Sequence, residues 1–242
     1  MDTITIAWEI TVPGQADERF AFRFDARTMQ LVDPQPPDEL PVWTQLEHQQ
    51  CSNCPLKPAD APQCPPAANL VTVIEGFKRV YSYETCKVRV ETENRVISAE
   101  TTVESALASL IGLVMATSDC PHLTFFRPMA RFHLPFADPE ETLFRATGSY
   151  LLACYIARLR ELDVGFNLEG LAAIYEEVQT VNRAFADRLR FAAEGDGTLN
   201  GLVALDLLAQ TLPMSIEALL PDIDYLFEPF LEQVRAGTVK LP

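Results

Sequence analysis

The sequence predicts an α+β fold: an antiparallel β-rich half to about residue 100, followed by a helical half packed against it. Two observations carry this. Before residue 100 apolar and polar residues alternate in short runs, the period of half-buried strands; afterwards they recur every three or four residues, the period of amphipathic helices. The connections between the first runs are also too short for crossover helices, so those strands are antiparallel neighbours. With 242 residues, 48% of them hydrophobic, the chain can bury a substantial core. The expected organisation is a β-rich region over 1–100, containing a Cys/His loop at 33–66, and a helical region over 101–242.

Ile4, Ile6, Trp8, Ile10 and Val12 lie on one face of a first strand, opposite Thr3, Thr5, Glu9 and Thr11, and Pro13-Gly14 ends it. Phe20, Phe22 and Phe24 repeat the alternation, and Met29–Val32 reads as a third strand of a meander. Asp33–Pro66 then holds nine of the eighteen prolines and three of the six cysteines. Missing backbone donors exclude a long regular element there, apart from a brief helical turn near Trp43–Gln50. A helix is predicted from Pro66 to about Phe77. Val80, Cys86, Val88 and Val90 share a strand face, and Glu93-Asn94 turns the chain into a partner strand near Val96–Ala99.

Thr101 with Glu104 has the pattern of a capping box for a helix ending near Ser118. Asp138-Pro139-Glu140-Glu141 combines an N-cap, a proline at the first helical position and acids in the first turn. The helix behind it is expected to bury Phe144, Leu151, Tyr155 and Leu159. Asn167 caps another, striped by Leu171, Ile174, Val178, Val181, Phe185 and Leu189; such a stripe needs a partner helix or a dimer mate. Glu194–Gly197 breaks it, and helices near Leu199–Leu212 and Asp222–Arg235 complete the chain.

The net charge of -15, from 19 basic and 34 acidic residues, disfavours nucleic-acid and anionic-membrane partners. The basic stretches Arg158–Arg160 and Arg183–Arg190 are interleaved with acids and read as solvated helix faces. The N-terminal residues lack the charged and apolar regions of a secretory signal, and the longest apolar stretch is too short to span a bilayer. Six cysteines without a secretory context are read as reduced thiols or metal ligands, and the expected compartment is the cytoplasm. Cys86 and Cys154 fall on apolar faces and read as structural.

Two segments could carry chemistry. In His48-x2-Cys51-x2-Cys54-x9-Cys64, the close pair of thiols can wrap one tetrahedral ion, which would order a loop with little core of its own. Cys120 is the expected fourth ligand, with His48 and His122 as alternatives. Zinc is the first reading and an iron–sulfur cluster on Cys51, Cys54, Cys64 and Cys120 the second; a redox pair and unliganded thiols also compete. The second segment, Cys120–Phe136, carries Arg127, Arg131 and His133. In extended conformation these project from one side and suit an anionic carboxylate or phosphate, with His133 as acid–base group. The competing reading pairs the arginines with acids such as Glu140 and Glu141, and hydrogen-bonds His133 to backbone. Glycine-rich phosphate loops, GxSxG and HExxH are absent from the sequence.

Two stretches, WTQLEHQQCSNCPL…CPPAANL from Trp43 to Leu70 and DCPHLTFFRPMARFHLPF…EET from Asp119 to Thr142, resemble a family of uncharacterised bacterial proteins. The resemblance implies a bacterial cytoplasmic protein and supplies no activity, cofactor or substrate. The residues themselves favour a metal-stabilised binding or regulatory protein. An enzyme acting on a small anionic molecule and a helical interaction scaffold, including a homodimer, are the alternatives.

Overall fold

The computed structural model describes residues 2–32, 39–192 and 194–239; the proline-rich stretch 33–38 lies outside them. Five antiparallel strands form one sheet in the order β3-β2-β1-β4-β5. They are β1 (Thr3–Thr11), β2 (Glu18–Asp25), β3 (Leu31–Val32), β4 (Thr85–Thr92) and β5 (Arg95–Thr102). β1 is central, with Trp8 opposite Phe20 on β2 and Val90 on β4. The alternation read from the sequence sorts the faces: Ile4, Ile6, Trp8, Ile10, Phe22, Phe24, Cys86, Val88 and Val90 are all buried. Val80 is buried too, but it sits in the turn before β4 rather than on the strand.

The helices are α1 (Pro65–Gly76), α2 (Val103–Thr117), α3 (Arg127–Arg131), α4 (Pro139–Leu159), α5 (Glu169–Ala192), α6 (Gly197–Leu219), α7 (Pro221–Asp224) and α8 (Glu228–Arg235); α2 packs on β4 and β5, and α6 packs on α2 and α5. The fold is therefore α+β with a helical C-terminal half. A single hydrophobic cluster runs through it from Ile4 to Ile223. The expected final helix is broken at Tyr225–Phe227, and Pro229 opens α8 in its first turn, where its missing N–H costs little.

The caps explain the helix starts. Asp138 accepts from the Glu141 amide at 2.8 Å while the Glu141 carboxylate accepts from the Asp138 amide at 3.0 Å, a complete capping box. For α2 the cap is Thr102, accepting from the Ser105 amide, one residue later than the Thr101–Glu104 pattern suggested, because β5 extends to Thr102. The buried face of α4 also differs from expectation. Phe144, Tyr155 and Leu159 are exposed, and the helix buries Leu143, Ala146, Thr147 and Cys154. Large apolar residues surround this helix, so periodicity selected the bulky side while the fold uses the side with smaller residues.

The stripe on α5 finds its partners inside the chain. Leu171, Val178, Val181, Phe185 and Leu189 are buried, and α5 packs chiefly on α6. The break after α5 is also a joint. The Gly195 and Gly197 amides donate to the carbonyls of Lys78 and Val80, and Asp196 accepts from the amide and hydroxyl of Ser82. A Cβ on Gly195 would stand 2.6 Å from the Val80 carbonyl oxygen, so the close approach requires glycine.

Candidate functional site

The proline-rich loop is held by short ladders. The Cys64 amide donates to Thr44 and the Leu46 amide to Pro62, while the Thr44 hydroxyl bonds Gln63. The helical turn expected near Trp43–Gln50 is a single 3₁₀ turn, Val42–Thr44. Arg188 of α5 reaches this turn. It is 1% exposed and donates to the carbonyls of Trp43, Gln45 and Leu46 at 2.6–2.8 Å. The reading of Arg183–Arg190 as a solvated face therefore fails at Arg188, while Arg190 does pair with Asp187 at the surface.

Cys51, Cys54, Cys64 and Cys120 lie close enough for their charges to act on one another. Burial pushes the Cys51 thiol up to about 11, and Cys64 and Cys54 add to the rise; Arg188 opposes it. Burial likewise raises Cys64, against the pull of Arg188 and the Ala67 amide. Cys120 is pushed up to about 12 by burial, with contributions from Cys64, Cys51 and Cys54, against the His122 amide. Cys64 and Cys120 each stand at the N-cap of a helical turn followed by proline: α1, and the 3₁₀ turn Pro121–Phe126. All six cysteines are free. Among the described residues no three His, Cys, Asp or Glu side chains already form an arrangement that would hold a metal ion.

The two alternative histidines are differently placed. His122 Nε2–H donates to the Asn53 carbonyl at 2.8 Å, and its Nδ1 lies 3.6 Å from Glu177. Asn53 in turn donates to the carboxylate and carbonyl of Glu177, so His122 and α5 fix the turn between Cys51 and Cys54. His48 packs its ring against Phe191 at 5.0 Å, with Nε2 buried and unpartnered. Cys86 and Cys154 are buried, one on the core face of β4 and the other in α4.

The arginine–histidine run does not converge. Arg127 and Arg131 fall one turn apart on α3 while His133 follows the helix, so the three do not project from one extended strand. Arg127 donates to Asp119 and the Ser118 carbonyl at 3.2 Å, rather than to Glu140 or Glu141. Arg131 stacks over Phe132 at 5.7 Å. His133 alone of the three lines a half-open cavity of about 400 Å³ between α2, α3, α4, α5 and α6.

That cavity is mainly apolar, with leucine, alanine, methionine and phenylalanine walls. Its polar side chains come largely from residues the sequence did not single out: Arg145 of α4, and Tyr175 and Asn182 of α5. Arg145 donates through Nη2 to the carbonyls of Met129 and Phe132 at 2.8 and 3.1 Å. Burial pushes His133 down to about 4, helped by Arg145, so its imidazole is neutral near pH 7. Burial raises Tyr175 against the pull of Arg145, which keeps the phenol protonated. The signal available in sequence was slight, since Tyr175 and Asn182 fall between the stripe residues of an ordinary amphipathic helix.

A five-stranded antiparallel sheet with a helical C-terminal half defines the class as an α+β domain. The chain belongs to the family described as Domain of unknown function (DUF6901), which matches residues 6–228 and so takes in both thiols and cavity. No curated protein and no solved structure matches it. No single helix among the described residues is long and apolar enough to cross a membrane.

Proposed function

We propose that this is a metal-stabilised binding or regulatory protein of the bacterial cytoplasm, in which Cys51, Cys54, Cys64 and Cys120 hold a zinc ion, with an iron–sulfur cluster as the second candidate. One observation carries the reading: Cys51, Cys64 and Cys120, from three separate segments, are raised first by burial and then by neighbouring cysteines, Cys54 acting on all three, which requires proximity. Metal takes the place of the thiol protons. The fixed charge of Arg188 and the Ala67 and His122 amides favour the negative charge that thiolate ligands bring. His122 fits better as a support for the Asn53 turn than as a ligand. Elemental analysis and an absorption spectrum of protein purified without chelator test the reading. Stoichiometric zinc without colour supports the first form and iron with visible absorption the second; neither metal, even after anaerobic reconstitution, would end it.

A second reading concerns self-association. Phe144, Leu152, Tyr155, Ile156 and Leu159 leave an exposed apolar row on α4, a surface that a second copy could cover. Light scattering showing a strict monomer at high concentration would exclude it.

A further inference from the structure

The cavity beside His133 contains polar groups that the protein itself leaves unused. Tyr175 and Asn182 are 5% and 4% exposed, yet neither the phenol nor the amide has a hydrogen-bond partner among the described residues. His133 Nε2 is sealed from solvent and unpartnered as well. Of these groups His133 Nε2 alone is sealed, an unmade bond that folded interiors seldom tolerate, while the polar ends of Tyr175 and Asn182 stay reachable from the cavity. Arg145 adds a charge. Its Nη2 is occupied by two carbonyls, which leaves Nε and Nη1 free of protein hydrogen bonds among the described residues. No carboxylate of the described residues forms an ion pair with it; Glu141 acts on it only from a distance and is committed to the Asp138 cap.

We propose that this cavity binds a small monocarboxylic acid with an apolar body. The carboxylate meets Arg145 and Tyr175, which act on each other across the cavity, Asn182 lies two turns further along α5, and the body fills the space between α2 and α6. One guanidinium balances one negative charge, and its remaining Nε and Nη1 N–H groups can each donate a single charge-assisted hydrogen bond to a carboxylate oxygen. A phosphate dianion would leave a buried charge uncompensated among apolar walls. The other titratable groups on the wall fit this assignment. His133 is neutral, and Glu104, the single acid there, sits in the first turn of α2, where helix amides offset its charge. The volume lies within the usual range for small-molecule sites. Phe126, Met129, Leu113 and Leu205 supply the apolar contacts.

This gives the binding reading its ligand class, and it stands or falls separately from the metal. The test uses decanoate and 4-phenylbutyrate as probes, with 1-decanol as the uncharged control, on full-length protein of measured metal content. Calorimetry is paired with fluorescence of Trp8 in a Trp43→Phe background, because Trp8 lies 5.6 Å from His133 and 6.2 Å from Phe136 by ring centroids. At least one acid is expected to bind once per chain, and 1-decanol roughly tenfold or more weakly. Tyr175→Phe, which keeps the ring, and Arg145→Met should each weaken the acid by about tenfold or more. Arg145→Met also removes bonds to α3, so Ala108→Phe supplies an independent check by filling the cavity: it should abolish binding while the protein stays folded. Failure of both acids to bind folded protein would overturn the proposal. So would equal affinity for acid and alcohol, or binding unaffected by Tyr175→Phe and Ala108→Phe.

Discussion

The guanidinium of Arg188 donates to the carbonyl of Trp43 at 2.8 Å, across 145 residues of chain, and serves the carbonyls of Gln45 and Leu46 as well. A single buried cation thereby terminates the backbone of a loop that its prolines keep from forming regular structure. Arg188→Met is expected to destabilise the protein by about 3 kcal/mol or more, because three carbonyls lose a charged donor at once. Arg190→Met, at an exposed ion pair, should cost less than about 1 kcal/mol. Urea unfolding of both variants reads the contrast.

Metal bound by the four cysteines would tie loop stability to metal occupancy. Chelation of metal-loaded protein should lower the melting temperature, and Cys64→Ser and Cys120→Ser should both lower the metal content and remove the chelator's effect. Cys86→Ala should change stability without changing metal content, since Cys86 packs on the core face of β4. Equal metal content in all three variants would place the ion elsewhere.

His133 makes stability depend on pH with a definite sign. The unfolded chain takes up this proton near pH 6.5 and the folded protein only near 4. Between those values the unfolded state holds more protons, so stability falls as pH drops; above 6.5 the imidazole is neutral in both states and the effect vanishes. The loss approaches on the order of 3 kcal/mol below pH 4. Many carboxylates titrate in the same window, so the quantity to measure is the difference between wild type and His133→Gln. Urea midpoints at pH 7.5, 5.5 and 4.5 should show that difference changing steadily in favour of the variant as pH falls.

Two glycines should respond in opposite directions. Gly195→Ala forces a Cβ against the Val80 carbonyl at 2.6 Å and is expected to cost about 2 kcal/mol through displacement of the joint to residues 78–82. Gly148, inside α4, has open space where a Cβ would go, so Gly148→Ala should gain about 0.5–1 kcal/mol. Thermal melts of the pair read both signs.

The strands were legible because one face of each is buried, which forces alternation at Ile4, Ile6, Trp8 and Ile10. The α4 cap was legible because Asp138, Pro139 and Glu141 each satisfy a local requirement. The buried face of α4 was not, since its close-packed side is built from Ala146, Thr147 and Cys154, whose small side chains give a weak periodic signal. Arg188 was hidden for another reason. Its burial depends on three carbonyls far away in sequence, and a lone arginine among acids looks like any solvated helix charge. Arg127 and Arg131 misled in the opposite direction, because spacing has meaning only once the backbone is known, and Pro121 and Pro128 each begin a helical turn. The cavity's polar set was dispersed over α4 and α5, with no motif to gather it.

Helix α5 has a place in both sites. Glu177 and Arg188 face the thiol-bearing loop, and Tyr175 and Asn182 face the cavity. Occupation of either site that tilts or slides this helix also reshapes the other, as a seesaw moves both its ends. By thermodynamic reciprocity, whatever factor a metal ion imposes on the affinity for a cavity ligand, that ligand returns in full to the metal.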